Sequence, residues 1–461
     1  MKIIFDLDGT LTDFNQFIQE NAIDYFCKKY HMEVMKSDAL EIEDIFDIQK
    51  VLENSGYSMQ EADSVKKQML DRFWISHRFI KFSLLNRFRP GVREYINYLE
   101  KQGFIVEIHT SRSKTCEGSL IGMIARTFTI WQCRLNGVFL RKKNFFFYPN
   151  DKEKVESIIR NRPMIVFDDK KQIIDQLEEC GVKTICVSGV HNKSVLPSKN
   201  IEVIHTFDRS DIERKTEKLV GKANLMCHKR EAASVRFFRK ISVTAIIIRM
   251  IFRPMVLHSE NILCEKAEGI IYAPNHRSTL DPLIIESVFT KHIHWAALAR
   301  FFKGEDSIFN NSKNSVLCNI TKNAFHRLEY FPIERKSDNP NANNTDTLKE
   351  MNLFLKNGYK IGIFAEGTTR RAAGEDFGTF DNAFLHLAKR NKAWIQPITL
   401  LWMNASGLKP KVIVNFGEAF QVNSMSIDES MEHFMEIQKV GLEENYTRQN
   451  RLKNNYIKSH K

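Results

Sequence analysis

The chain has 461 residues, of which 43% are hydrophobic and 27% charged, a composition that is typical of folded globular proteins and excludes a largely disordered chain. Its net charge of +12 is uneven, because residues 1–220 carry 34 Lys and Arg against 32 Asp and Glu, whereas residues 221–461 carry 34 against 24. The length indicates two or three domains, and eight cysteines without a Cys-x-x-Cys pair or a His/Cys cluster argue against a zinc centre or a disulfide framework.

The N-terminal part of the sequence alternates strand and helix patterns. The apolar run Lys2–Phe5 predicts a buried strand that stops at a glycine turn, and further strands are predicted at 104–109, 164–167 and Thr184–Val187. Between about 14 and 85 the pattern is helical and rich in charge. Because strands that alternate with helices imply a parallel sheet covered on both faces, we predict an α/β fold for this part.

Residues 208–235 are dense in charge and poor in large apolar residues, and we predict a charged linker between two domains there. The next segment, 236–257, predicts an amphipathic helix with Arg and Lys on one side. Its uncharged face consists of Phe237, Phe238, Ile241, Ala245, Ile248, Phe252 and Met255. Such a helix is typical of a membrane interface, and the alternative is a basic helix docked on its own domain.

Strand patterns return in the C-terminal part of the sequence. They lie at 269–273, 361–364, 394–401 and Val412–Phe416. They predict a second α/β domain over 236–425, followed by a basic tail over 426–461. The basic excess of this half calls for nucleic acid, an anionic membrane or anionic substrates as its partner. No stretch reaches the roughly 18 uncharged apolar residues of a membrane-spanning helix.

Two carboxylates, Asp6 and Asp8, follow the first strand two residues apart, where period-two geometry aims both to one side. They repel each other unless a cation lies between them, and Mg²⁺ is the usual hard ion for such oxygen ligands. One carboxylate can attack phosphorus, while the other protonates the leaving oxygen and later activates water. Downstream residues supply hydroxyls for phosphate oxygens, a cation and further metal ligands. We assign these to Thr110, Ser111, Lys154 and Asp168-Asp169, with Lys152 as an alternative lysine.

This ordered set resembles the haloacid dehalogenase superfamily of phosphatases over roughly the first 200 residues. The resemblance rests on Asp6-x-Asp8-Gly9-Thr10, the strand ending at Thr110, a lysine before a helix, and the strand ending in Asp168-Asp169. It implies a Rossmann-like domain over 1–207 in which Asp6 is the nucleophile, Asp8 is the acid/base, and Asp6, Asp8 and Asp168 hold Mg²⁺. It also implies that the helical insert at about 14–85 is a cap that selects the substrate.

A second set of polar residues begins at Asn275-His276, and Asp281-Pro282 follows. On one continuous helix His276 and Asp281 would lie about 140° apart, so a turn must separate them. Asp-Pro is typical of a helix start. A histidine can take the proton of an alcohol that attacks a thioester, and a carboxylate on its other nitrogen fixes the tautomer. Two later blocks present groups suited to phosphate oxygens. They contain Arg335 and Glu366-Gly367-Thr368, the latter followed by Arg370 and Arg371.

These blocks, in this order over roughly 235–425, resemble the glycerolipid acyltransferase family, of which 1-acylglycerol-3-phosphate acyltransferase is the best-known member. The match consists of Asn-His-x4-Asp, Phe-Pro-Ile-x-Arg and Phe-x-Glu-Gly-Thr. It implies His276 as the base, Asp281 as its partner, and Arg335 with Glu366, Gly367 and Thr368 around a phosphate-bearing acceptor. Ala365 replaces the usual proline and Arg300 the common lysine, which leaves the acceptor open.

We therefore predict a bifunctional enzyme of phospholipid metabolism. It would transfer an acyl group from acyl-CoA or acyl carrier protein to a lysophosphatidic-acid-like alcohol, and hydrolyse phosphomonoesters with Mg²⁺. The alternatives are mainly a phosphatase whose acyltransferase domain serves another acceptor, or a lipid-surface binding protein with inactive sites. Expected partners are an anionic membrane surface, lysophospholipids and small phosphate esters, and not nucleic acid. We expect the chain to be cytoplasmic and peripherally associated with a membrane.

Overall fold

The computed structural model of the chain describes residues 2–12, 52–53, 56–65, 87–116, 118–189, 192–263, 268–289, 292–306, 315–335, 339–367, 376–403, 411–423 and 425–459. It contains two compact units, Met1–Ala232 and Ala233–Lys461. Most of the cap predicted over about 14–85 lies outside the described residues. Within the described part of that segment, residues 59–65 are helical.

The first unit is built on a six-stranded sheet whose paired strands run parallel. Its strands are β1 (Lys2–Phe5), β2 (Ile105–Thr110), β3 (Phe145–Phe147), β4 (Ile165–Asp168), β5 (Thr184–Val187) and β6 (Ile201–Ile204). Its described helices include α1 (Val92–Gln102), α2 (Leu120–Leu135), α3 (Asp151–Asn161), α4 (Lys171–Glu179) and α5 (Arg209–Val220). The strand order is β3-β2-β1-β4-β5-β6, so the chain moves outward from β1 to β3 and then returns to β4 on the other side of β1.

Both faces of this sheet are buried, because successive residues of a strand point to opposite sides. Ile3 and Phe5 of β1 belong to the core formed with α1, α2 and α5. Ile4, between them, packs with Val166 of β4 against α3 and α4. A parallel sheet with helices on both faces confirms the α/β fold predicted for this part of the chain.

The second unit contains an eight-stranded mixed sheet. Its strands are β7 (Met255–Leu257), β8 (Ile270–Pro274), β9 (His294–Leu298), β10 (Phe331–Ile333), β11 (Lys360–Gly362), β12 (Trp394–Trp402), β13 (Val412–Phe416) and β14 (Phe420–Gln421). The order is β10-β9-β11-β8-β12-β13-β7, and β14 pairs with β12. Strands β10, β9, β11, β8 and β12 run parallel, whereas β13 and β14 are antiparallel to β12. The C-terminal α/β domain is therefore present, with a partly antiparallel sheet.

Helices cover this second sheet and also occupy the segments predicted as linker and tail. They are α6 (Lys222–Phe252), α7 (Asp281–Phe289), α8 (Ala299–Lys303), α9 (Ser315–Arg327), α10 (Thr345–Lys356), α11 (Ala383–Asn391) and α12 (Ile427–Ser459). The predicted linker at 208–235 forms α5 and the start of α6, and the predicted tail at 426–461 forms α12. In α5, Asp211 pairs with Lys215 one turn later while Ile212 and Leu219 are buried, so the charge density belongs to a solvated helix face.

The amphipathic helix predicted over 236–257 is the second half of α6, and it ends at Phe252. Arg253 has a left-handed backbone, with φ at 46°, and Pro254 cannot continue a helix. Met255–Leu257 instead forms β7, which pairs in parallel with β13. The helix boundary predicted at residue 257 is therefore wrong by five residues.

The side of this helix predicted to face lipid packs on its own unit. Phe238 is buried in the hydrophobic core, and Phe237, Ile248 and Phe252 pack against that core. A different side of the helix is exposed to solvent. Its exposed apolar side chains are Ile246, Ile247, Met250 and Ile251. Among the described helices, none combines the length and apolar character needed to cross a membrane.

Candidate active sites

The first candidate site lies at the carboxyl edge of the first sheet, where β1 and β4 end side by side. The strand order reverses at this point, and open α/β sheets bind their ligands in such a crevice. Asp6 follows β1, Asp168 is the last residue of β4, and Lys154 lies at the start of α3. Three residues that are far apart in the sequence therefore meet at one edge.

Lys154 joins the two aspartates of this edge. Its Nζ donates to Asp6 Oδ1 at 2.6 Å and to Asp168 Oδ2 at 2.7 Å, and its side chain is 1% exposed. Burial opposes the charged form of Lys154, but the carboxylates of Asp168 and Asp6 outweigh burial and raise its pKa. Lys152, the alternative lysine, is exposed. The lysine at this site is Lys154.

The aspartates themselves carry more negative charge than the site neutralises. Burial raises the pKa of Asp6 well above its usual range, Lys154 opposes this effect, and Asp168, Asp169 and Asp8 add to it. Burial likewise raises the pKa of Asp168, again opposed by Lys154 and reinforced by Asp169. The site therefore favours any additional cation that can reach these oxygens.

Asp8 is held by a buried arginine. Arg112 Nε donates to Asp8 Oδ2 at 2.7 Å and its Nη2 donates to Asp8 Oδ1 at 2.5 Å, which makes a two-point contact. Nη1 of the same guanidinium donates to Thr129 Oγ1 on α2 at 2.8 Å. Because Arg112 is 1% exposed and tied to a helix, it fixes the orientation of the Asp8 carboxylate.

The turn after β1 depends on a glycine. Gly9 has φ at 83°, and a Cβ at this position would lie 2.0 Å from Asp169 Oδ2. Asp169 in turn accepts a hydrogen bond from Thr10 Oγ1 at 2.8 Å. The Asp-x-Asp-Gly-Thr spacing is therefore required by close packing of the turn on Asp169 as well as by chemistry.

The two hydroxyl residues predicted to hold phosphate end β2 at the same edge. Thr110 is buried, and Ser111 Oγ donates to Asp151 Oδ1. Lys170 Nζ donates to the other oxygen of Asp151 at 2.7 Å. Burial tends to raise the pKa of Asp151, but Lys170 and Ser111 outweigh burial and lower it. Lys170 is thus a third cation near this edge, which the sequence analysis does not identify.

The carboxylates of this site suit a hard divalent cation in chemistry and in charge. Four aspartates, Asp6, Asp8, Asp168 and Asp169, gather at this edge, where Lys154 pairs with Asp6 and Asp168 and Arg112 pairs with Asp8. In the described part of the chain, no three His, Cys, Asp or Glu side chains are grouped so as to hold a metal ion. Asp8 is turned toward Arg112 and Lys154 lies between Asp6 and Asp168, so the predicted ligands are adjacent without forming a shell.

The second candidate site lies at the carboxyl edge of the second sheet, after β8. His276 Nδ1 is 3.0 Å from Asp281 Oδ2, and the same oxygen accepts from the backbone N–H groups of Arg277 and Ser278 at 2.7 Å each. Helix α7 starts at Asp281, with Pro282 next. The Asp281 carboxylate therefore closes the turn that brings His276 to it.

Trp402 engages the other oxygen of this carboxylate. Its Nε1 donates to Asp281 Oδ1 at 2.8 Å, and Trp402 is the last residue of β12, which pairs with β8. Asp281 is completely buried, so these donors replace water in stabilising its charge. Since Asp281 engages Nδ1 of His276, proton transfer with a substrate would have to use the other ring nitrogen, Nε2.

The imidazole of His276 rests on a stack of aromatic rings. The rings of His276 and Phe364 are stacked with centroids 4.0 Å apart, and Phe364 stacks on Trp295 with centroids 5.0 Å apart. Gly362 makes room for this stack, because a Cβ there would lie 2.1 Å from the Trp295 ring. The ring plane of His276 is therefore set by β9 and by the segment that follows β11.

Glu366 holds the loop after β11 against the His276 turn. Its Oε1 accepts from His276 N at 2.9 Å, its Oε2 accepts from Gly378 N at 2.6 Å, and the residue is buried. Both oxygens thus bind backbone, which differs from the phosphate contact that the resemblance implies. A buried carboxylate would also repel a phosphate. Gly367 adopts a left-handed φ of 62°, and Thr368 lies outside the described residues.

Arg335 lies at the same edge of the sheet, farther from His276. It follows β10, which is separated from β8 by β9 and β11 in a run of parallel strands. Three strand spacings correspond to about 14 Å along the edge. The structure thus brings His276, Asp281 and Glu366 together and places Arg335 on the flank.

Besides Lys170, three residues at these sites escape the sequence analysis in their observed roles. Arg112 directly follows the predicted phosphate-binding residues Thr110 and Ser111, and this position in the sequence could have indicated that it belongs to the site. Trp402 and Phe364 have no such signal, because their contacts depend on which strands are neighbours.

Two family models match this chain, one within each of its two units. Residues 3–121 match the family model described as haloacid dehalogenase-like hydrolase, and residues 256–401 match the model described as acyltransferase. Both family resemblances predicted from the motifs are thereby confirmed.

Solved structures of both kinds are similar to parts of this chain. The 1-acyl-sn-glycerophosphate (LPA) acyltransferase PlsC from Thermotoga maritima is 20% identical, covering 47% of this chain and 82% of its own, with a TM-score of 0.33. A HAD hydrolase of family IA, variant 3, from Entamoeba histolytica is 15% identical, covering 47% of this chain and 98% of its own, with a TM-score of 0.35. No curated protein matches the chain.

Proposed function

We propose that the chain is a bifunctional enzyme that acylates a lysophosphatidic-acid-like alcohol and hydrolyses phosphomonoesters. The observation that carries the first activity is the contact between His276 Nδ1 and the buried Asp281, which orients a base at a sheet edge. The second activity is supported by the cluster of Asp6, Asp168 and Lys154 at the other unit's switch point.

In the acyl transfer, Asp281 holds the N–H of Nδ1 and so leaves Nε2 of His276 as the proton acceptor. The acceptor hydroxyl loses its proton to Nε2 as its oxygen bonds to the thioester carbonyl carbon. The carbon–sulfur bond then breaks, and the proton on Nε2 passes to the departing thiolate. Acyl-CoA or acyl carrier protein supplies the thioester.

The acceptor's phosphate is assigned to the flank of the site. Arg335 at the same sheet edge supplies a guanidinium suited to phosphate oxygens, and Gly367 follows Glu366, whose carboxylate binds the backbone of His276. A short backbone between phosphate and hydroxyl spans less than the about 14 Å from β8 to β10, so the Arg335 side chain would extend toward His276 to contact the phosphate.

In the hydrolysis, a carboxylate oxygen of Asp6 attacks phosphorus and the bond to the ester oxygen breaks, giving an aspartyl phosphate. Asp8 gives a proton to the leaving oxygen and then takes one from the water that releases inorganic phosphate. Thr110, Ser111 and Lys154 hold the phosphoryl oxygens. The carboxylates of Asp6 and Asp168 would hold Mg²⁺, and Asp8 would join them on turning away from Arg112. When bound, Mg²⁺ supplies positive charge to the phosphoryl group.

The chain is further proposed to act at the cytoplasmic surface of a membrane. The exposed side of α6 carries Ile246, Ile247, Met250 and Ile251, and Arg249 and Arg253 beside them are exposed as well. An apolar strip with flanking arginines suits the interface of an anionic bilayer. This surface replaces the face that the sequence predicts, because that face packs on the core.

Two substitutions in the full chain separate the two activities. His276→Ala should abolish transfer of a labelled acyl group from acyl-CoA to lysophosphatidic acid and leave hydrolysis of phosphate esters unchanged. Asp6→Asn should do the reverse, and chelation of Mg²⁺ should stop hydrolysis alone. Acylation that survives in His276→Ala would refute the base assignment. Loss of both activities in one variant, with a lowered melting temperature, would indicate misfolding.

A further inference from the structure

Helix α2 of the hydrolase unit presents a row of large apolar side chains to solvent. The exposed fractions are 67% for Leu120, 42% for Ile124, 53% for Trp131 and 58% for Leu135. On a helix these four positions fall within about 60° of one another, so they form one stripe. The exposed side chains of Ile121 and Met123 widen it, and Phe139, just after the helix, is 71% exposed.

The orientation of this stripe is fixed by the opposite side of the helix. Thr129, Gln132 and Cys133 are completely buried, and Ile130 and Cys133 belong to the core of the first unit. Thr129 also accepts the hydrogen bond from Arg112 that helps to orient Asp8. The helix therefore cannot rotate to bury the stripe without breaking contacts of the candidate active site.

The chain segment that carries the stripe is basic, and Glu100 of α1 interacts with its Arg141. From residue 118 to 150 the sequence contains five Arg or Lys and no Asp or Glu. Arg134 lies on the helix at the border of the stripe, and Arg141, Lys142 and Lys143 follow the helix as an exposed basic group. A patch of this kind on a folded unit marks an interaction surface.

We propose that the stripe of α2 and the basic group 141–143 form a second membrane-contact surface, which lies on an anionic lipid bilayer. Apolar side chains would enter the acyl boundary while the basic group contacts lipid phosphates. The absence of acidic residues from this part of the sequence favours an anionic lipid surface as the occupant. The proposal goes beyond the function above, which assigns membrane contact to α6 alone.

The stripe contains its own reporter, because Trp131 is 53% exposed. Vesicles of phosphatidylglycerol with brominated acyl chains should quench its fluorescence when the full chain binds, whereas Trp131→Phe should lose that quenching. Binding without any difference in quenching between these two proteins would overturn the proposal, since α2 would then lie away from the bilayer.

Substitutions test whether the stripe contributes to affinity. Ile124→Glu with Leu135→Glu should weaken sedimentation with phosphatidylglycerol vesicles about tenfold or more. The matched control is Leu196→Glu, which changes a side chain of the same unit that is 74% exposed and lies outside the stripe. Lys142→Glu with Lys143→Glu should remove the preference for phosphatidylglycerol over phosphatidylcholine.

The double substitution Ile247→Glu with Met250→Glu distinguishes membrane binding by α6 from membrane binding by α2. This variant should retain quenching of Trp131 by brominated lipid. Equal vesicle affinity of the α2 variant, its control and the unchanged chain would overturn the proposal. The proposal would also be overturned if the chain self-associates and the α2 variant abolishes this self-association without changing vesicle binding. The stripe would then be a protein interface.

Discussion

Lys154→Met is the sharpest test of the hydrolase site. The substitution removes the ammonium that contacts Asp6 at 2.6 Å and Asp168 at 2.7 Å but retains an unbranched side chain. Two buried carboxylates then lose their common partner. Breaking a buried ion pair from one side costs about 3–5 kcal/mol. For a unit of this size, that loss lowers the melting temperature by roughly 6–20 °C.

The measurement is calorimetry of the full chain in EDTA and again in excess Mg²⁺. In EDTA we expect Lys154→Met to lower the melting temperature of the first unit by roughly 6–20 °C and to leave the melting temperature of the second unit unchanged. Mg²⁺ should recover part of the loss, because a divalent cation would pair with the two carboxylates that lose the Lys154 ammonium. The matched control is Lys152→Met, which alters an exposed lysine of the same helix.

The outcomes separate the parts of the reasoning. An unchanged melting temperature for Lys154→Met in EDTA would refute the placement of its ammonium between the two carboxylates. An equal loss in Lys152→Met would show that the effect belongs to the helix and not to the site. If Lys154→Met is destabilised and Mg²⁺ does not change its melting temperature, the proposed Mg²⁺ site is refuted but the ion pairs of Lys154 are not.

Three further predictions concern single contacts. Trp402→Phe removes a hydrogen bond to the buried Asp281, which should raise the activation free energy of acyl transfer by about 1–3 kcal/mol and so lower kcat/KM roughly 5–150-fold. If Trp402→Phe causes the same further loss when it is introduced into Asp281→Asn, Trp402 does not act through Asp281. A lysine in Arg112→Lys cannot make the two-point contact with Asp8, so the rate of hydrolysis should fall roughly 10–100-fold, as in Arg112→Gln. Full activity in either variant would refute the role of Arg112 in orienting Asp8. Burial lowers the pKa of His228 from 6.5 to about 4, so the unfolded chain binds more protons between these values. Stability should therefore fall as pH drops through that window, and thermal unfolding at pH 7, 6 and 5 should show a smaller fall in His228→Gln.

Several elements follow from local pattern alone. Thr184–Val187 and Val412–Phe416 are predicted with the bounds that the structure has, because each is a short apolar run between breaking residues. Six short strands, β3, β6, β7, β9, β10 and β14, are not predicted. β3 has only three residues, and β9 begins with a buried histidine whose partner is the backbone oxygen of Glu329.

The exposed faces of the helices are less accessible to sequence reasoning. The periodicity of α6 correctly indicates an amphipathic helix, but it assigns to lipid the side that packs on the core. A helix with apolar residues on two sides has no local signal for which side is buried. The position of the sheet beneath it decides, and that position depends on distant strands.

The sequence by itself determined the candidate residues of both proposed sites. Residue type and spacing identified Asp6, Asp8, His276 and Asp281, since paired carboxylates and a His-x4-Asp turn each require only a few neighbouring residues. Tertiary structure alone decided which groups hold them. Arg112 reaches Asp8 across 104 positions, Trp402 reaches Asp281 across 121, and Lys154 reaches Asp6 across 148. Strand order and helix packing create these contacts, and a local pattern carries the period of an element but not the identity of its neighbours.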